Sequence, residues 1–259
     1  MHTNTKLMGL FLVSLGFAQQ AQAQSEVVEV PLTRVFIQPQ GYDDNDNVEV
    51  IVDGELPNTC YTLEKQEVIH DPQTNEIRVQ QRAIHRLDGV CAQDASDTPQ
   101  MQTTVPFTES VDLGQLPATA YRLIYEGPNG EKRERSFEVA LATAASPDSL
   151  PYAMVTELSI QDIGTAEAPS FATISGLLNN SCYSFNDEVT VDRQGDVIVL
   201  LPTVTVQATG PCLMYVRPFT KRVELGTLSA ERYLVQARSM NGKSLNRVFN
   251  ILPESRSRR

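Results

Sequence analysis

Apolar residues along this chain recur at every second position, in short runs separated by turn residues. Val48, Val50 and Val52 alternate with Glu49, Ile51 and Asp53, and Val204 and Val206 flank Thr205. A period of two marks a strand with one buried face. The runs are cut by a polar loop at 41–47 (GYDDNDN), by His70-Asp71-Pro72-Gln73-Thr74-Asn75, by Gly127-Pro128-Asn129-Gly130 and by Arg193-Gln194-Gly195. Asp-Pro, Asn-Gly and Gly at these places are turn and hairpin signals. The first half therefore reads as about seven short strands with no helical period. They lie near 35–37, 48–53, 61–69, 76–84, 104–113, 120–126 and 132–141. The hairpin of 61–69 and 76–84 would set His70 and His85 facing one another.

The pattern is written twice. Residues 106–139 (PFTESVDLGQLPATAYRLIYEGPNGEKRERSFEV) and 218–251 (PFTKRVELGTLSAERYLVQARSMNGKSLNRVFNI) align without a gap. Pro, Phe, Thr, Val, Leu, Gly, Leu, Ala, Tyr, Asn, Gly, Arg and Phe recur in register. Upstream, GELPNTCY at 54–61 answers GLLNNSCY at 176–183, and Gly89-Val90-Cys91 answers Gly210-Pro211-Cys212. The chain thus divides into a first unit at 31–142, a small polar linker at 143–151, a second unit at 152–252 and a basic tail at 253–259 that reads as disordered. Each unit is small enough to gain from a staple. Four cysteines allow three pairings, and the repeat selects Cys60–Cys91 and Cys182–Cys212, one bridge inside each unit. Such a bridge contributes about 3–4 kcal/mol in the chain-entropy model.

Tyr121 and Tyr233 stand at equivalent places, each five residues after a leucine (Leu116, Leu228). This resembles the tyrosine corner of immunoglobulin-like and fibronectin-type sandwiches, including exported bacterial modules, in which the hydroxyl bonds an upstream backbone group. The resemblance implies an all-β chain of two tandem antiparallel sandwiches, with these four residues structural. Two features depart from true immunoglobulin domains: the chain has no tryptophan, and Leu123 and Val235 stand where the cysteine after the corner tyrosine would be.

Lys6, the apolar run at 7–18 and Ala21-Gln22-Ala23 form a secretory signal peptide covering 1–23; the run is too short for a membrane span, which needs roughly 20 residues. Export to a periplasm or the exterior fits two disulfides. The net charge of −11 argues against nucleic acid or anionic lipid as partner, since both require a basic footprint.

No nucleophile elbow, phosphate loop or spare cysteine appears, so neither catalysis nor a cofactor is expected. Asp43, Asn45 and Asn47 have the alternate spacing of calcium ligands, but the loop lacks the glycine and the twelfth-position acid that calcium loops carry, so no metal site is expected either. The chain reads as an exported binding or adaptor protein of the cell envelope or exterior. It would meet another envelope or secreted protein through sandwich loops or a strand edge. The candidate loops are 41–47, with Asp43, Asp44 and Asp46, and 92–102, with Asp94 and Asp97. The alternative is an inhibitor of a secreted hydrolase, inserting 71–75 or 92–102.

Overall fold

The computed structural model describes residues 25–87, 91, 103–161, 168–207 and 210–253. The expected signal peptide, Asp94, Asp97 and the arginines of the tail lie outside the described residues. Every element named among the described residues is a strand. The first unit contains β1 (Ser25–Val30), β2 (Leu32–Phe36), β3 (Tyr42–Asp43), β4 (Val48–Leu56), β5 (Tyr61–Leu63), β6 (Glu67–Asp71), β7 (Glu76–Arg86), β8 (Val105–Gly114), β9 (Thr119–Glu126) and β10 (Lys132–Ala140). The second contains β11 (Met154–Gln161), β12 (Pro169–Leu178), β13 (Tyr183–Phe185), β14 (Thr190–Gln194), β15 (Val197–Leu201), β16 (Val204–Val206), β17 (Arg217–Thr227), β18 (Arg232–Ser239) and β19 (Lys243–Asn250). β1 precedes the expected start of the first unit at residue 31, yet it pairs along its whole length with β7.

In the first unit, sheet β2-β4-β8 and a larger sheet ordered β1-β7-β9-β10-β3, with β5 and β6 also on β7, contribute side chains to one core; in the second, β11-β12-β17 and β14-β15-β18-β19 do the same. Alternation does what it promised. Val48, Val50, Val52, Tyr121, Leu123 and Phe137 pack into one core, and Ile174, Val223, Tyr233, Val235 and Phe249 into the other. The repeated motifs meet inside each unit. Gly54 pairs with Phe107 and Gly176 with Phe219, and a Cβ on either glycine would overlap the phenylalanine ring.

Strand direction departs from the antiparallel plan. β7 runs parallel to β9, β15 parallel to β18, and β3 parallel to β10. In each unit it is the returning strand of a hairpin, β7 after β6 or β15 after β14, that lies against the tyrosine-corner strand, which fixes a parallel pair. Both disulfides form as expected, Cys60–Cys91 and Cys182–Cys212.

The two units are packed against each other. Phe36 and Ile51, on the outer face of β2-β4-β8, form one buried cluster with Val197, Val199 and Leu234 of the facing sheet. Ion pairs ring it: Arg232 forks onto Asp53, Arg34 and Arg135 meet Asp196, and Arg238 pairs with Asp46. Asn246 and Ser244 donate to Glu49.

The repeat shows that this seam is made once. At the positions of Phe36, Ile51 and Asp53 the second unit carries Ser159, Thr173 and Ser175. At the positions of Val197, Val199 and Leu234 the first unit carries Glu76, Arg78 and Arg122, with Glu76 and Arg122 ion-paired. Both of these outer faces are polar, so neither offers the apolar centre on which the seam is built.

Candidate functional site

The acidic loop of the first unit is turned inward. The Asp43 carboxylate accepts the Asn45 amide at 3.0 Å, and Asp44 accepts the Ala142 amide at 2.8 Å. Asp46 accepts the Asp43 amide at 3.1 Å and is held by Arg238 at 2.9 Å, both side chains being 7% exposed. Arg238 also donates to the Gly41 carbonyl at 3.0 Å. Burial raises the pKa of Asp46 against the opposing charge of Arg238. Burial alone would lower that of Arg238, but Asp46 and neighbouring tyrosines more than offset it, and it too is raised. Beneath them Tyr42 is buried, and its hydroxyl is pushed up to about 12.

Asp46 is therefore not placed to meet a partner: it is spent on the seam. Asn45 donates to the Ala144 carbonyl, and no grouping of three metal-binding side chains occurs among the described residues.

The two histidines do not meet. His70 pairs across the hairpin with Ile77 and leans on Tyr121, whereas His85 pairs with Tyr61 and stacks on its ring at 4.3 Å. The hairpin turns at 72–75, which sets Ile77 rather than His85 opposite His70. The tyrosine corners form, in two versions. Tyr121 donates to the Pro117 carbonyl at 2.9 Å, whereas Tyr233 meets the Ser229 hydroxyl at 2.7 Å. Leu116 and Leu228 are buried below them.

The surface that sequence reasoning passed over lies in the second unit, beside its disulfide. Leu213, Met214, Tyr215 and Val216 follow Cys212 and are 65, 86, 46 and 57% exposed. At the matching places the first unit has Met101, Gln102, Thr103 and Thr104. Leu213 is tied to Ser181 by two bonds, amide to hydroxyl at 2.8 Å and Ser181 amide to Leu213 carbonyl at 3.0 Å. The strip is thus fixed on the ribbon formed by β13 and β16. On that ribbon Val206 is 47% exposed, and a groove of about 390 Å³ runs past Leu150, Tyr152, Tyr183, Val206 and Met240. An apolar run next to a cysteine resembles core in a linear pattern. Only its contrast with the polar Gln-Thr-Thr of the first unit could have flagged it.

A family model described as ORF11 beta-sandwich domain matches residues 172–251. The second unit is similar to that domain from β12 to the end of β19, a stretch that includes the disulfide and the apolar strip. No curated protein and no solved structure matches the chain. The match supports a β-sandwich-type domain for the second unit, and the internal repeat carries that reading to the first. It is not specific to immunoglobulin or fibronectin modules.

Proposed function

We propose that this chain is an exported, non-catalytic binding or adaptor protein of the cell envelope or exterior, whose partner is another protein. The observation that carries this reading is the apolar surface of the second unit, 213–216 with Val206. Contiguous exposed apolar side chains, rimmed by polar residues and held on a stapled scaffold, mark interaction sites on soluble domains. Arg217 supports the strip from behind, with its guanidinium 5.8 Å from the Tyr215 ring and bonded to the Tyr183 carbonyl.

A crosslinked pull-down from the source cell's envelope and secreted fractions, with the chain from Gln24 onward as bait, tests the proposal. A specific protein retained by the wild type and lost from Met214→Ser/Tyr215→Ser supports it. Capture of nothing specific would refute it. A captured hydrolase that loses activity on binding would favour the inhibitor reading instead. That reading draws on the exposed 72–75 turn, where Asp71 accepts the Gln73 amide at 2.9 Å and gives the loop the rigidity an insert needs.

A further inference from the structure

The two units differ at the strand that flanks β7 in the first, and the difference leaves an open edge in the second. In the first unit β7 is flanked on one side by β5 and on the other by β1. Tyr61 lies opposite His85, and His85 lies opposite Glu26. In the second unit Tyr183 lies opposite Val206, so Val206 stands where His85 stands. The surrounding bonds agree: the Arg86 amide to the Cys60 carbonyl is repeated by Gln207 to Cys182, and Glu64 to Arg82 by Asn186 to Thr203.

In an antiparallel ladder alternate residues bond to alternate sides. Residues 203, 205 and 207 therefore bond toward β13, and 204 and 206 turn toward the place that β1 fills in the first unit. There the linker begins to play the part of β1. Ala153 donates to the Pro202 carbonyl and Val204 to the Pro151 carbonyl, each at 2.8 Å. Pairing then stops. Pro151 has no N–H to return to Val204. The Tyr152 amide bonds the Leu150 carbonyl at 2.8 Å, bending the chain. Asp148 draws the preceding residues away by accepting the Asn241 and Gly242 amides, both at 2.7 Å. The backbone N–H and C=O of Val206, whose counterparts in His85 face Glu26, are left facing the groove.

We infer that this edge of β16 is a strand-acceptor site, and that its occupant is a short extended segment of the partner protein, added antiparallel as Ser25–Val30 is added to β7. This rests on the binding-protein reading and deepens it by naming the mode of recognition, β-augmentation. The segment is uncharged and alternates apolar side chains, because the rim holds Leu150, Tyr183, Val206 and Met240, and the one charged side chain lining the groove, Asp148, is already engaged by the Asn241 and Gly242 amides. In the first unit the same strand position carries Glu26 and Glu29, and Gln80 donates to Glu29. A second copy's β1 is not the occupant, since β1 is already paired over six residues in its own unit, and moving it would open one slot to fill another.

The test is amide hydrogen exchange on the mature chain, alone and with a blocked hexapeptide alternating threonine and valine. In the free chain the Val206 amide should exchange about a hundredfold faster than that of His85, as unpaired edge amides do. Millimolar peptide should slow Val206 by about tenfold or more and leave His85 unchanged. Val206→Pro removes an N–H without a ladder partner and Val206→Lys blocks an edge by charge. Both should keep the melting temperature and lose the peptide-induced shifts at Tyr183 and Leu150. Slow exchange at Val206 in the free chain, no response to peptide, or a response that survives both variants would overturn the inference. If the edge behaves as described while the pull-down captures nothing, the acceptor stands and the binding-protein reading falls.

Discussion

Asp46 and Arg238 form the most buried ion pair that crosses the seam, and the two partners are not equivalent. An arginine cannot shed its charge, whereas a buried carboxyl can take up a proton. Asp46→Ala should therefore cost about 3–5 kcal/mol, the usual result of leaving a buried charge unpaired. Arg238→Met should cost less, and combining it with Asp46→Asn should recover part of the loss; urea unfolding of the three variants decides. The raised pKa of Asp46 also fixes a sign. Its contribution is present below the ordinary carboxylate value and lost as pH rises through the folded value, so mild acid does not open the seam through this group.

Tyr42 gives the alkaline counterpart. Its folded pKa of about 12 lies above the free value near 10, so its contribution is intact below pH 10 and is lost as pH climbs toward 12. The loss relative to Tyr42→Phe should be about 2 kcal/mol between pH 9 and 11.5, read as the difference between the two unfolding curves at those pH values. None of this was legible in the sequence. Asp44 and Asp46 read as part of a polar candidate loop because their partners are remote: Ala142 is 98 residues from Asp44 and Arg238 is 192 residues from Asp46.

At the scale of elements, the two tyrosine corners differ in what their hydroxyls touch. Tyr121→Phe leaves the Pro117 carbonyl without its donor and should cost about 1–2 kcal/mol. Tyr233→Phe frees the exposed Ser229 hydroxyl, which water can satisfy, and should cost less. Thermal unfolding of both variants measures the contrast. Replacing Cys182 and Cys212 by serine should cost about 2–5 kcal/mol and release the 213–216 strip. Much of this level was legible in the sequence. Alternation found most of the cores, the repeat paired the cysteines, and Asn-Gly marked the β9–β10 hairpin. Hydrogen-bond direction was not, because β7 and β15 show the same alternation whether their neighbour runs parallel or antiparallel. One signal was present and unread: the continuous run Val197-Ile198-Val199-Leu200-Leu201. An unbroken apolar strand is buried on both faces, and here the second face is the seam.

For the whole molecule, the seam joins the two units through one buried cluster and several ion pairs. Its apolar centre joins side chains from both units, and its ion pairs bridge them on several sides. Leu234→Asp sets an unpaired charge in that centre and should split a single unfolding transition into two, as well as lengthening the particle in small-angle scattering. A single transition and an unchanged scattering profile would show that the units do not depend on each other. With one outer face of each unit taken up by the seam and the other polar, the recognition surface we propose is, among the described residues, the stapled end of the second unit, with its groove, open edge and apolar strip.

The most direct test of that conclusion is site-specific photocrosslinking in the source cell, with the probe placed in turn at Val206, at Met214 and at Thr173 on the polar outer sheet. Crosslinks from 206 and 214 to one and the same protein, with none from 173, are the expected result. Crosslinks only from 173, or none from any position in cells that export the chain, would contradict a binding protein that works through the stapled end of its second unit.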